Sequence, residues 1–276
     1  MNTQNSSATD PATGLVIDPI ADPVTDGSHA TSWTDETVAT SYSTISGSTD
    51  WALGYPFVFR ALGLAALGEG TLLDYGSGPG SVADLVARRY GVRVLAADIS
   101  EAMLETSRAR ANPAIEHHLI TGDRLAVLPD ACADRAMCNF VLVCVPSQER
   151  LAQIFAEVHR LLRPGGSFTI LNPDHARVGV EFDCFRLGEP GAEYAPGDPF
   201  PVRLKQQDGS WFPITDFFWP GEIYEELLRK AGFSSVDRRA PVLADAHGVA
   251  DPALLASRPW KAEQSVPPFL LFTATK

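Results

Sequence analysis

Positive charge is the first thing this sequence lacks. Its 276 residues carry 22 Lys and Arg against 34 Asp and Glu, a formal charge of −12. Nucleic acid and anionic membrane surfaces both reward basic patches, so neither is the expected partner. The deficit is uneven, because the first fifty residues hold seven acids and no Lys or Arg. Cysteine is sparse as well. Cys132, Cys138, Cys144 and Cys184 form no CxxC pair, the pattern of reduced, buried thiols in a cytoplasmic chain. No apolar run reaches the ~18 residues of a membrane span. No basic segment precedes an apolar one at the N-terminus, so a secretory leader is not expected. The six histidines show no convincing ligand spacing, and no metal site is expected. His117 and His118, adjacent in a probable strand, point to opposite faces.

Residues 1–30, rich in Ser, Thr, Asp, Pro and Gly, read as a disordered acidic tail. The short apolar stretch 14–20 (GLVIDPI) is its exception and a candidate contact to a neighbouring subunit, which leaves a homo-oligomer open. Residues 31–69, with Trp33, Tyr42, Trp51, Tyr55, Phe57 and Phe59, read as an N-terminal helical cap. From residue 70 to 276 strands and helices alternate. TLLDY, VRVLAAD, IEHHLI, the apolar run 135–145 and SFTILN read as strands. SVADLVARRY, EAMLETSRARA and 148–162 read as the helices between them, the last stopped by RPGG. Alternation of this kind implies βαβ units and a parallel sheet. Two final strands, 233–239 and 269–275, have no helical pattern between them and read as an antiparallel pair at one edge.

The stretch TLLDYGSGPGS places Gly76, Gly78 and Gly80 at the carboxyl end of the first strand, where open α/β sheets bind ligands. Glycine there lets backbone approach a ligand and take positive φ. A tight turn without a ligand would look the same. Further acids extend the pattern. Asp98 ends the second strand, where a carboxylate accepts both hydroxyls of a ribose. Asp123 follows the third strand in TGDRL, beside Arg124, where an acid accepts from an exocyclic amine. Ile99 and Met103 are placed to cover the two faces of a purine. Asp74, at the head of the loop, suits a cationic amine better than a pyrophosphate.

D-Y-G-S-G-P-G at 74–80, D-I-S at 98–100, G-D at 122–123 and L-L-R-P-G-G at 161–166 together resemble the class I S-adenosylmethionine-dependent methyltransferases. The resemblance spans roughly residues 70–240. It implies a Rossmann-like, doubly wound α/β fold with a seven-stranded sheet and an antiparallel last strand. It also implies that the glycine loop holds the methionine part of S-adenosylmethionine, Asp98 the ribose and Asp123 the adenine amine. Asn139 and Phe140 fall where this family contacts cofactor or substrate, and Tyr42 matches an aromatic that caps the cofactor. A nicotinamide-dependent oxidoreductase would carry GxGxxG/A; here Pro79 and Ser81 interrupt that fingerprint.

The acceptor region is expected as an insertion after the fifth strand, at about 174–218. Residues 181–219 hold nine of the chain's 25 aromatic residues. Such density suits either a pocket for an apolar or aromatic small molecule or the core of an added hairpin. Trp211, Phe217 and Trp219 are the expected pocket walls, and His175 is the candidate base for a hydroxyl. The C-terminal HGVADPALLASRPWKAEQSVPPFLLFTATK is similar to the ends of bacterial methyltransferases acting on specialised metabolites. The expectation is a cytoplasmic enzyme methylating a small, partly apolar molecule, at carbon or nitrogen in preference to oxygen. A cofactor-dependent cyclase on the same fold, with methylation triggering closure of a prenyl chain, is the alternative.

Overall fold

The computed structural model describes Thr31, residues 47–122 and residues 124–276. The expected tail, segment 14–20, Tyr42 and Asp123 lie outside the described residues.

β1 (Thr71–Tyr75) is buried along its whole length, as a parallel strand covered on both faces must be. Its side chains alternate: Leu73 joins the apolar cluster on one face of the sheet and Leu72 the cluster on the other. β2 (Arg93–Asp98) and β3 (Ile115–Leu119) pair in parallel on one side of it. β4 (Ala133–Asn139) and β5 (Leu162–Pro173) pair in parallel on the other. β9 (Ser235–Arg239) and β10 (Phe269–Thr275) complete a seven-stranded sheet of order β3-β2-β1-β4-β5-β10-β9. β10 runs antiparallel to both its neighbours, as expected.

α1 (Tyr55–Ala61) and α2 (Ser81–Tyr90) pack on the face that holds Leu72, while α4 (Gln148–Leu161) and α5 (Gly221–Lys230) pack on the face that holds Leu73. α3 (Glu101–Arg108) lies between β2 and β3, capped by Ser100, whose Oγ accepts the Met103 N–H at 3.4 Å. A short α6 (Pro252–Ala256) and two 3₁₀ turns occupy the β9–β10 connection, which showed no helical pattern in the sequence.

Two boundaries differ from the sequence reading. The apolar run 135–145 leaves the sheet at Asn139 and continues as a 3₁₀ turn over Leu142–Cys144. A continuous apolar run reports burial and not period, so it cannot mark where a strand ends. RPGG does not separate a helix from a strand. β5 starts at Leu162, and residues 163–166 bulge out between the partners of Ala133 and Arg135.

Between β5 and α5 the chain forms a second, antiparallel sheet of β6 (Phe185–Leu187), β7 (Pro199–Lys205) and β8 (Trp211–Phe217). Phe182, Phe185, Phe200 and Ile214 join the same cluster as α1 and Phe269. Ser48 Oγ donates to Asp183 Oδ2 at 2.7 Å and Thr49 Oγ1 to Glu263 Oε1 at 3.1 Å, tying the N-terminal helical segment to the insertion and the C-terminal segment. Thr31 reaches β8, where its Oγ1 accepts the Thr215 N–H at 2.8 Å.

Candidate functional site

The loop after β1 is pinned to β2: the Gly76 and Ser77 N–H groups both donate to Ala97 O, at 2.7 and 3.0 Å. Its three glycines all have positive φ but answer to different constraints. A Cβ on Gly76 would stand 2.2 Å from Val141 Cγ2, and one on Gly80 would stand 1.9 Å from Ser107 Oγ. These two glycines admit close packing of the loop against its surroundings. A Cβ on Gly78 would meet no atom within 4 Å. Its freedom is unused by the protein and faces a cleft, which suits close approach of a ligand.

That cleft has a volume of about 270 Å³. Gly76, Gly78, Asp98, Ile99 and Met103 line one side; Asn139, Phe140, Val141 and Cys144 line the other. Asp98 Oδ2 accepts the Gly78 N–H at 2.7 Å, and its Oδ1 accepts the Ser100 N–H at 2.9 Å. Burial pushes this carboxyl above its usual value, against the lowering effect of N–H bonds from Ser100, Gly78 and Ile99. Those bonds leave lone pairs for a ligand, since an ionised carboxylate has about four acceptor sites. Ile99 is 55% exposed, a bare apolar platform beside the acid. Asp74 lies buried at the start of the loop, and burial followed by the charge of Asp98 raises its pKa to about 7.

The opposite wall is strained. Phe140 has φ +61°, a region that a bulky residue rarely enters. Its N–H donates to Leu171 O at 2.7 Å, and its ring packs against Tyr55 and Phe269 at 5.9 and 5.3 Å. This turn is what ends β4 and exposes Asn139, whose buried Oδ1 has no partner among the described residues. The cleft thus offers a glycine cradle, a ribose-type carboxylate, an apolar platform and an unfilled acceptor, which together fit an adenosine-bearing cation.

The loop around Asp123 is anchored by α4. Arg150 donates to Gly122 O at 2.7 Å, and the Leu125 N–H donates to the buried Glu157 Oε1 at 2.8 Å. Arg160 holds the same acid at 2.6 Å, and the two hydrogen bonds keep the Glu157 carboxyl below its ordinary pKa despite burial.

Seven residues anticipated from sequence line this one cleft: Gly76, Gly78, Asp98, Ile99, Met103, Asn139 and Phe140. Others lie elsewhere. Gly80 serves the packing of α2 against Ser107, and Asp74 sits buried off the lining. Arg124 points to Asp130 and Glu157, at 3.7 and 3.9 Å, so its charge is spent on the loop and not on the cleft. Phe217 and Trp219 are core residues; Trp219 Nε1 donates to Val145 O at 2.8 Å. Trp211 sits at the far end of β8 with Lys205 5.9 Å over its ring. None of the three walls the cleft, because most of the aromatic density in 181–219 is used to fill the insertion's own core.

His175 is 2% exposed, between Phe200 and Phe218, with ring centroids 4.3 and 6.0 Å away. Its Nδ1 accepts the Trp219 N–H at 3.4 Å, which places the neutral ring's proton on Nε2 and leaves no free lone pair. It is not poised as a base on the cleft. Sequence reasoning missed Val141, Cys144, Arg150 and Ile154, which also line it. The run 135–145 had been read as one strand, so the turn that carries the first two was hidden. Hydrophobic spacing on α4 was the available signal for Ile154.

Comparison with known proteins agrees with this geometry. Residues 72–166 match a family profile described as "Methyltransferase domain". The chain is 34% identical over 211 residues to N-demethylindolmycin N-methyltransferase of Streptomyces griseus, covering 75% of this chain and 89% of that protein. It is 31% identical over 179 residues to the ubiquinone/menaquinone biosynthesis C-methyltransferase UbiE of Acidiphilium cryptum, covering 61% of this chain and 68% of that one. Among solved structures, the CcbJ methyltransferase of Streptomyces caelestis superimposes with a TM-score of 0.57 at 20% identity, over 86% of this chain and 95% of that one. An S-adenosylmethionine-dependent methyltransferase of Mesorhizobium loti does so with a TM-score of 0.54 at 22% identity, over 81% and 99%. Fold, cleft and kinship converge: the chain belongs to the class I S-adenosylmethionine-dependent methyltransferases.

Proposed function

We propose that this enzyme methylates a nitrogen of a small, partly apolar specialised metabolite in the cytoplasm. The observation that carries the reading is the lining of the cleft: it is largely apolar, and no histidine among the described residues reaches it. A hydroxyl nucleophile wants a base at the reacting atom, whereas an amine attacks through its lone pair and sheds a proton afterwards. Kinship with a nitrogen methyltransferase supports nitrogen over carbon.

S-adenosylmethionine supplies an electrophilic methyl group on a sulfonium. The chain's task is to bind, align and dehydrate. In this reading Gly78 lets the backbone close on the methionine end, and Asp98 accepts the ribose hydroxyls. Asp123 receives the adenine amine, and Ile99 and Met103 flank the ring. Asn139 Oδ1 accepts from the amino group, and buried Asp74 supplies negative charge behind the loop. Phe140 forms the wall between donor and acceptor. The N-terminal segment and the three-stranded insertion close over the acceptor and exclude water.

The test has two stages. Calorimetry should show saturable binding of S-adenosylmethionine and S-adenosylhomocysteine. Incubation with S-adenosylmethionine and N-demethylindolmycin, or with a panel of arylalkylamines, should give a product whose new methyl is located on nitrogen by mass spectrometry and NMR. A methyl on oxygen or carbon would sink the nitrogen assignment.

A further inference from the structure

Behind the cleft wall formed by Cys144 lies a second polar group that the cofactor site does not use. Asp216, near the end of β8, is 2% exposed. Its Oδ1 is 4.0 Å from Cys144 Sγ, and Cys144 lines the cleft. One thiol therefore separates this carboxylate from the cavity. Its Oδ2 is 3.9 Å from His175 Nε2, too long for a hydrogen bond, and that nitrogen has no other partner among the described residues. No Arg or Lys among the described residues pairs with Asp216.

The surroundings share this deficit. The Tyr224 hydroxyl is buried without a partner among the described residues, and after burial itself the charge of Asp216 is the next cause holding its pKa well above the ordinary value. Asn172, on β5, has both side-chain polar atoms buried and without a partner among the described residues. It faces the same side of the sheet as Ile170 and Leu270, the side on which Tyr224 packs against Phe272. Buried polar groups are normally hydrogen-bonded, and a cluster of exceptions asks for an absent partner. Of these groups His175 lies 3.9 Å from the Asp216 carboxylate, and Tyr224 is close enough to feel its charge.

We infer that Asp216, with Tyr224, Asn172 and the Nε2–H of His175 around it, forms a recess that receives the amino group of the acceptor substrate. The sign of the charge selects the ligand class. The Trp219 N–H occupies His175 Nδ1, so the ring turns its Nε2 toward Asp216. Among the described residues the acid lacks a Lys or Arg; an incoming ammonium supplies the cation, and passing its proton to the carboxylate frees the lone pair that attacks the methyl group. The aromatic rings of His175, Phe200 and Phe218 form a stack beside the recess. Cys144 Sγ, 4.0 Å from Asp216 Oδ1, stands between recess and cleft.

The inference rests on the reading of the chain as a nitrogen methyltransferase, and the experiment separates the two. S-adenosylhomocysteine is titrated first, and failure to bind it would overturn both. With it bound, 2-phenylethylamine is titrated against its neutral counterpart 2-phenylethanol. The wild type should prefer the amine at least tenfold, and Asp216→Asn should abolish that preference while binding S-adenosylhomocysteine unchanged. Absence of the preference in the wild type, or its survival in Asp216→Asn, overturns the recess and leaves the cofactor assignment standing. Tyr224→Phe provides a second test should the first variant fold poorly. It removes a hydroxyl with no resting partner, so Tm should hold or rise while amine affinity falls about threefold. A lowered Tm with unchanged amine affinity would show a structural hydroxyl on internal water and overturn the recess.

Discussion

The cleft and the three-stranded insertion are built by opposite means. The cleft is a backbone device: three left-handed glycines, two N–H groups on one carbonyl, and a carboxylate held by the N–H groups of Gly78 and Ser100. The insertion is a side-chain device in which Phe182, Phe185, Phe200, Tyr194 and Phe218 contact one another or neighbouring rings at centroid distances of 4.8 to 5.9 Å. Backbone devices tolerate few residue types at each position, whereas a packed apolar layer accepts other residues of similar volume. Chemistry common to the family therefore sits in the first region.

The largest effects should come from breaking each region at its own foundation. Phe182 is fully buried where the insertion meets the main sheet. Phe182→Ala should lower stability by about 3–5 kcal/mol, as large-to-small core changes do. Denaturant unfolding would measure it, and S-adenosylhomocysteine affinity should hold in the folded fraction. Gly76→Val should do the reverse in kind. It adds left-handed strain of about 1–2 kcal/mol and overpacking of about 1–3 kcal/mol against Val141, and the displaced loop should lose the cofactor. Gly78→Ala incurs the strain without the collision. It should fold with a loss of only about 1–2 kcal/mol and still bind cofactor at least tenfold more weakly. Equal cofactor binding in Gly78→Ala would reduce Gly78 to a turn residue and collapse the contrast between the two regions.

The same contrast explains what the sequence revealed. β1, β2, β3, β9 and β10 were legible because buried strands alternate or run apolar between turn residues, and all fall within a residue or two of the reading. The acids at strand ends were legible because Asp98 and the loop glycines have few structural excuses for standing together. The limits of β4 were not legible. Nothing in NFVLVCV marks Phe140 as the left-handed residue that turns the chain, since its conformation is imposed by Leu171, Tyr55 and Phe269. His175 misled for a related reason. Its position past β5 was right for the ligand side of the sheet, but the Trp219 N–H that occupies its lone pair lies 44 residues away in sequence. Trp219 and Phe217 were counted as pocket walls from composition, and composition cannot say which side of a layer a ring faces.

A smaller effect sharpens the reading of the cleft itself. Asp98→Asn keeps the shape and loses the charge. Hydrogen bonds to a charged group contribute about 1.5–3 kcal/mol, so cofactor affinity should fall by at least tenfold in calorimetry. Ser100 should still cap α3 through its own Oγ, so the Tm change should stay within a few degrees. A variant that binds normally would remove the ribose role from Asp98.

The smallest effect concerns pH and separates two acids, one fully buried and one half-buried. Asp74 lies under the loop, and Asp50 lies in the π-helical turn Asp50–Gly54 beside the insertion; both have pKa values raised by burial from 3.8 to about 7. Between pH 4 and 7 the unfolded chain has released these protons and the folded chain still holds them. Native protein therefore binds more protons, and its stability falls as pH rises through that window, levelling above it. Both acids contribute this slope, so Asp74→Asn should remove only part of it. Affinity for the cationic cofactor behaves differently, because Asp74 lies under the glycine loop, where its charge is felt by the cleft-lining Asp98. Ionisation of Asp74 between pH 6 and 8 should strengthen S-adenosylmethionine binding by no more than about tenfold, the change in ionised fraction for a pKa near 7. Asp74→Asn should flatten that rise, and Asp50→Asn should leave it intact. A pH dependence of binding that follows Asp50 instead would move the charge that senses the cofactor away from the glycine loop and into the segment joined to the insertion.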